Sequence, residues 1–120
     1  MKTIAVVEDN PDNRLLLQAL LEDLYDLVEY ETGTAALEGL TAHCPDLVLL
    51  DISLPDMDGT AVLQHIRADA TLRHVPVIAL TAHARQGDRE RFLEAGFTAY
   101  CTKPIPDMDA LLRMIADLLE

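Results

Sequence analysis

The sequence predicts an α/β fold on one parallel sheet, with five strands alternating with five helices. Three observations carry this expectation. Short apolar runs recur at Thr3–Val7, Leu27–Tyr30, Leu47–Leu50, Val75–Leu80 and Ala99–Thr102. Stretches of helical period separate them, and that alternation is the signature of a βα repeat. Four of the runs also end in reactive groups: Glu8-Asp9, Asp51, Thr81 and Lys103. If these runs are neighbours, the groups meet at the carboxyl edge of the sheet, where folds of this class bind ligands.

Each element has a local signal. The first helix follows Asn10-Pro11-Asp12, a cap followed by a proline start. It carries Leu16, Leu20 and Leu24 at i, i+4 and i+8, with Leu17 and Leu21 beside them, and this stripe is expected to face the sheet. The second helix is predicted over Thr34–His43, the third over Thr60–Ala68, and the fourth over Asp88–Ala95, before Gly96. The fifth, Asp107–Leu119, repeats Met108, Leu111, Leu112, Ile115 and Leu119 at amphipathic spacing. Pro76 lacks an N–H donor, which a strand tolerates at its first residue. No repeat, low-complexity tract or Gly/Ser linker interrupts the chain, so residues 1–120 read as one domain whose output uses its own surface.

Composition narrows the function classes. A chain of 120 residues can bury roughly two-thirds of its unfolded surface in one core. No apolar run approaches the ~18 residues of a membrane span, and Met1-Lys2-Thr3 leads straight into a strand, so a cytoplasmic protein is expected. Nine basic residues against 21 acidic ones give a net charge of −12, which opposes direct binding to nucleic acid or anionic membranes. Cys44 and Cys101 lack metal-binding spacing and read as packed, reduced thiols.

The predicted edge has a chemistry of its own. Crowded carboxylates raise one another's pKa unless a cation sits among them, and oxygen-only donors favour Mg²⁺, with Mn²⁺ an alternative. The turn after the first strand, Glu8-Asp9-Asn10-Pro11, would repel a phosphate that a glycine-rich turn would cradle. Asp9 and Asp51 suit direct metal ligands, and Glu8 suits either a ligand or a holder of coordinated water. Asp51 can then act as a nucleophile toward phosphorus, Lys103 offsetting charge on the phosphoryl oxygens and the Thr81 hydroxyl donating to one of them. Taken singly, Glu8-Asp9 and Thr81 could be helix caps and Lys103 an exposed lysine. Their joint placement at strand ends favours the functional reading. A phosphatase of the haloacid dehalogenase type needs a second aspartate two residues after its nucleophile, where this chain has Ser53.

Several segments together resemble the receiver domain of two-component response regulators, over essentially the whole chain. They are Val7-Glu8-Asp9-Asn10, Asp46 through Asp51, Leu54-Pro55-Asp56-Met57-Asp58-Gly59, Ala79-Leu80-Thr81-Ala82, Gly96 through Tyr100, and Lys103-Pro104. The resemblance implies a flavodoxin-like doubly wound sheet of order 2-1-3-4-5. It implies Asp51 as acceptor of a phosphoryl group from a histidine kinase or histidine phosphotransfer protein, Glu8 and Asp9 as the acidic pair, and Lys103 as the phosphoryl-contacting lysine. The Ser53 carbonyl and water would complete the Mg²⁺ shell.

By the same resemblance Thr81 and Tyr100 form a switch pair, Lys103-Pro104 is a cis peptide, and Gly59 with Leu54-Pro55 shapes the loop after Asp51. Ser53 and His83 take positions that tune the phosphoryl lifetime. Thr98-Ala99 departs from the Asp-Asp pair that many DNA-binding members use in dimer contacts. Asn13-Arg14 is common in hybrid-kinase receivers, and the chain reads as a stand-alone receiver or one excised from such a kinase. The surface of helix four, strand five and helix five is the expected output face, with Arg85, Arg89 and Arg91 as candidate contacts to a downstream protein. The competing class is a docking module that works without phosphorylation, against which the intact Glu8, Asp9, Asp51, Thr81 and Lys103 argue.

Overall fold

Strand and helix alternate along the chain in the computed structural model, which describes residues 1–82, 87–103 and 107–119. The elements are β1 (Thr3–Val7), α1 (Pro11–Leu21), β2 (Asp26–Tyr30), α2 (Gly33–Ala42), β3 (Leu47–Asp51), α3 (Gly59–Ala68), β4 (Val77–Thr81), α4 (Asp88–Ala95), β5 (Ala99–Thr102) and α5 (Met108–Leu119). The five strands form one sheet in the order β2-β1-β3-β4-β5, and every neighbouring pair is parallel. This is the doubly wound arrangement expected from the sequence. None of the described helices is long and apolar enough to cross a membrane.

Strand alternation splits the interior into two layers. Ala5, Val7, Val48, Leu50, Val77 and Ala79 pack with residues of α2, α3 and α4, including Ala36, Leu40, Val62, Leu63, Ile66 and Phe92. Ile4, Val6, Leu47, Leu49, Ile78 and Leu80 pack instead with Leu17 and Leu21 of α1 and with Leu111 and Ile115 of α5. β1, β3 and β4 are covered on both faces, which is why their sequences are continuously apolar.

The face of α1 differs from expectation. Leu17 and Leu21 point inward, whereas Leu16 is 39% exposed and Leu24, beyond the end of the helix, is 52% exposed. Two leucine rows one residue apart satisfy the helical period equally well. The start of the helix decides between them: the Asn10 side chain caps it, accepting from the N–H groups of Asp12 and Asn13, while Asn13 and Arg14 both reach back to Glu8. β4 begins at Val77 rather than Val75. Pro76 stays outside the strand, and its carbonyl accepts the Val48 N–H at 2.9 Å.

Three sets of contacts fix the loops at the two ends of the sheet. Asp56 accepts from the N–H groups of Gly33 and Thr34 and from the Thr34 hydroxyl, at 2.8, 2.9 and 2.6 Å, stapling the β3–α3 loop onto the start of α2. These donors, the Thr34 hydroxyl first, hold the exposed Asp56 carboxyl down to about 2. At the opposite end of the sheet, the Arg67 guanidinium donates to the carbonyls of Gly96, Arg73 and Val75 and to the Thr98 hydroxyl. Thr98 Oγ1 also accepts the Val77 N–H at 3.1 Å, so it knits β4 to the loop before β5.

Gly59 makes the third contact. Its N–H donates to the Ile52 carbonyl at 2.8 Å, and a Cβ there would lie 2.5 Å from the Asp51 carbonyl oxygen and 2.8 Å from Ile52 Cα. Both obstacles are backbone, so Gly59→Ala must move the chain that carries Asp51. The expected cost is about 1–3 kcal/mol, read as a lower chemical-denaturation midpoint with an unchanged slope.

Candidate functional site

The charged groups of the site reach the sheet edge by the same alternation that builds the core. Glu8 continues the row of Ile4 and Val6, Asp51 that of Leu47 and Leu49, and Lys103 that of Ala99 and Cys101, all on the α1/α5 side. The strands keep their register past the assigned ends, since Glu8 N–H donates to the Tyr30 carbonyl and Lys103 N–H to that of Thr81. Thr81 and Tyr100 fall on the other side, in the rows of Val77 and Ala79, with Tyr100 paired to Ala79.

Lys103 Nζ bridges two carboxylates, 2.9 Å from Glu8 Oε1 and 3.0 Å from Asp51 Oδ2. Glu8 is completely buried and Asp51 is 2% exposed. The Ser53 N–H donates to Asp51 Oδ1 at 3.0 Å. Asp9 stands exposed beside them, and Glu8, Asp9 and Asp51 each bring one carboxylate oxygen within 4.8 Å of the others. Glu8 Oε2 is buried without a hydrogen-bond partner, a costly state for a carboxylate. Three hard oxygen donors and a buried acceptor without a donor fit a small divalent cation.

Electrostatics agree with that fit. Burial, and then contact with Glu8, push the Asp51 carboxyl up to about 6 from its ordinary 3.8, against the downward pull of the Ser53 N–H and Lys103. Desolvation pulls the Lys103 ammonium down, but its bonds to Glu8 and Asp51 outweigh this and the net shift is upward. A carboxyl with a raised pKa contributes stability that is complete below about 3.8 and is lost as pH rises through about 6. Metal-free protein is therefore expected to lose stability over that window relative to Asp51→Asn, by about 1–2 kcal/mol after allowance for solvent screening. Paired thermal melts at about pH 4 and pH 7.5 measure this, and Mg²⁺ should narrow the gap at the higher pH.

The structure gathers Glu8, Asp9, Asp51, Ser53 and Lys103 at one point. Thr81, 4% exposed, closes the adjacent strand. Tyr100 is half-buried and lies farther along β5, its ring 6.0 Å from that of Phe92. A groove of about 470 Å³ runs past it, lined by residues including Arg89, Leu93, Thr98, Cys101 and Met114. Arg91 lies elsewhere, 3.3 Å from Asp88 and stacked over the Phe92 ring, at a cleft shared with Asp58 and Thr60. His83, Arg85 and the Lys103-Pro104 peptide fall outside the described residues. Both cysteines are free, but only Cys101 is partly packed; Cys44 is exposed, contrary to expectation.

Two residues singled out in the sequence only as a mark of hybrid-kinase receivers belong to the site. Asn13 Nδ2 donates to Glu8 Oε1 at 2.7 Å. Arg14 donates to the Glu8 and Asp9 carbonyls at 2.9 and 3.1 Å and pairs with Glu31 at 3.1 Å. Their signal was positional: they occupy the first turn of a helix that starts directly after the acidic pair.

A buried aspartate at the carboxyl edge of a 2-1-3-4-5 sheet, flanked by an acidic pair and a lysine, defines a class of signalling domain. Residues 4–116 match the family model of the response regulator receiver domain, and the chain belongs to that family. Among its relatives, the polar-differentiation response regulator DivK of Brucella ovis is 43% identical over 105 residues, covering 87% of this chain and 85% of the relative. The receiver domain of the sensor histidine kinase PA1611 from Pseudomonas aeruginosa, solved with a magnesium ion coordinated in its active-site cleft, is 38% identical. It superposes with a TM-score of 0.89, covering 98% of this chain and 97% of that one. A receiver domain of a signal transduction histidine kinase from Syntrophus aciditrophicus is 32% identical, with a TM-score of 0.89 and coverage of 99% and 90%. The chain is thus a receiver domain of two-component signalling, a signalling module with an acidic triad able to hold a metal ion.

Proposed function

We propose that Asp51 accepts a phosphoryl group from the phosphohistidine of a histidine kinase or histidine phosphotransfer protein. The observation that carries this reading is the placement of its buried carboxylate against Lys103 and the acidic pair. An Asp51 carboxylate oxygen attacks phosphorus, the phosphorus–nitrogen bond breaks, and the imidazole nitrogen keeps the bonding pair. Lys103 offsets the charge on the phosphoryl oxygens, and the Thr81 hydroxyl donates to one of them. Asp9, Asp51 and the Ser53 carbonyl are the proposed ligands of Mg²⁺ or Mn²⁺, with Glu8 as a ligand or a holder of coordinated water. When bound, the ion supplies positive charge that relieves carboxylate repulsion and stabilises the phosphoryl oxygens.

The proposed output is a population shift read at the groove beside Tyr100. Contacts from the phosphoryl group to Thr81 and Lys103 favour a state with Tyr100 turned further inward, and a few kcal/mol of preference makes a minor state the major one. A downstream protein then binds the α4–β5–α5 face, with Arg89 at hand. The self-catalysed transfer and slow hydrolysis are the only chemistry assigned to the domain.

Two measurements test the reading. Phosphate-affinity electrophoresis after incubation with acetyl phosphate and Mg²⁺ should show one retarded species. Amide shift mapping with beryllofluoride, a phosphoryl mimic, should perturb Tyr100 and α4 as well as the loops around Asp51. Perturbations confined to those loops would favour a docking module that works without phosphorylation.

A further inference from the structure

We infer that Asn13 is a positioning residue for the cation site, acting through Glu8; this rests on the metal-dependent reading above. The Glu8 carboxylate receives two donors, Lys103 Nζ at 2.9 Å and Asn13 Nδ2 at 2.7 Å, and both bind the same oxygen, Oε1. Oε2 has none, although the side chain is completely buried. With both donors on one oxygen the rotation of the carboxylate is fixed, and the other oxygen is left to coordinate a cation or to hold its bound water. Lys103 alone would not impose this, because its ammonium also serves Asp51 Oδ2 at 3.0 Å and sits on a flexible stem.

Asn13 is well placed to hold the carboxylate still. Its backbone N–H is bound to the Asn10 cap at 3.2 Å, and its neighbour Arg14 grips the Glu8 and Asp9 carbonyls. The first turn of α1 and the acidic turn are therefore one rigid unit, with the carboxamide presented from it. The donor is neutral. It orients Glu8 without the positive charge that would compete with the cation for the triad.

The test is calorimetric titration of the full chain with MgCl₂, for the parent, Asn13→Leu, Asn13→Gln and Asp9→Ala. Asn13→Leu keeps the branching at Cγ, in a larger side chain, and loses the donor, and its Mg²⁺ dissociation constant is expected to rise about ten- to a hundredfold, the range for losing a group that orients a metal ligand. Asn13→Gln retains a carboxamide and should recover most of that loss. In acetyl phosphate labelling, most of the Asn13→Leu effect should fall on the Mg²⁺ half-saturation and little on the plateau rate, a division that loss of helix stability would not produce. If Asn13→Leu does not fold, Asn13→Ala carries the same prediction. Parent-like Mg²⁺ affinity in the donorless variant, or a Gln variant as weak as Leu, overturns the inference. A parent that binds no Mg²⁺, or an Asp9→Ala variant that binds it equally well, would instead overturn the metal-dependent reading.

Discussion

Asp51→Asn is expected to abolish phosphoryl uptake, by at least about a thousandfold, a barrier increase of about 4 kcal/mol. The substitution keeps the shape of the side chain and an oxygen for the Ser53 N–H, which donates to the carboxylate at 3.0 Å. It removes the negative charge that makes the oxygen a nucleophile. Because it also removes a carboxylate pressed against Glu8 in a buried site, the variant should fold well and melt above the metal-free parent at neutral pH. Incubation with acetyl phosphate and with a small phosphoramidate, followed by phosphate-affinity electrophoresis, measures the loss. Uptake at the parental rate would place the acceptor elsewhere in the chain.

Lys103→Met is expected to weaken both fold and chemistry. It removes the ammonium that bridges Glu8 and Asp51, two buried carboxylates, and breaking a buried pair from one side costs about 3–5 kcal/mol. The parent's ammonium is held above its ordinary pKa and stays charged through the neutral range. Without it Asp51 ionises with less compensation, so the loss should be greatest at neutral pH. It should shrink as pH falls through and below the window near 6 where Asp51 takes up its proton. Denaturant titrations at about pH 5 and pH 8 distinguish this from simple loss of packing, which would be equal at both. Phosphoryl transfer should remain slow even at saturating Mg²⁺, because the lost charge acts on the phosphoryl oxygens directly.

Much of this molecule is legible without coordinates, for physical reasons visible in particular residues. Apolar runs and caps mark the strands and helices locally, and β3 and β4 end at Asp51 and Thr81 because the apolar pattern stops there. Glu8, Asp9, Asp51 and Lys103 could be placed together because parallel strands bring their carboxyl ends to one edge. What was missed depends on partners far away in sequence. The choice between two leucine rows in α1 rests on Asn13 and Arg14 reaching Glu8. The Asp56 staple spans 22 and 23 residues, and neither it nor the role of Thr98 leaves a local signal. Pro76 was expected within the fourth strand, but β4 begins one residue later, at Val77.

The Arg67 node also bears on how this molecule responds to its ionic surroundings. The chain carries a net charge of −12, so dissolved salt weakens the mutual repulsion of its surface while loosening exposed pairs such as Arg14–Glu31. Arg67 binds carbonyl and hydroxyl oxygens from two segments, the one before β4 and the one before β5, and none of these acceptors is a carboxylate. Its grip draws on backbone dipoles rather than on an opposite charge. The junction of α3, β4 and the loop before β5 can therefore keep its shape from dilute buffer to concentrated brine, in a protein whose surface electrostatics change greatly over that range.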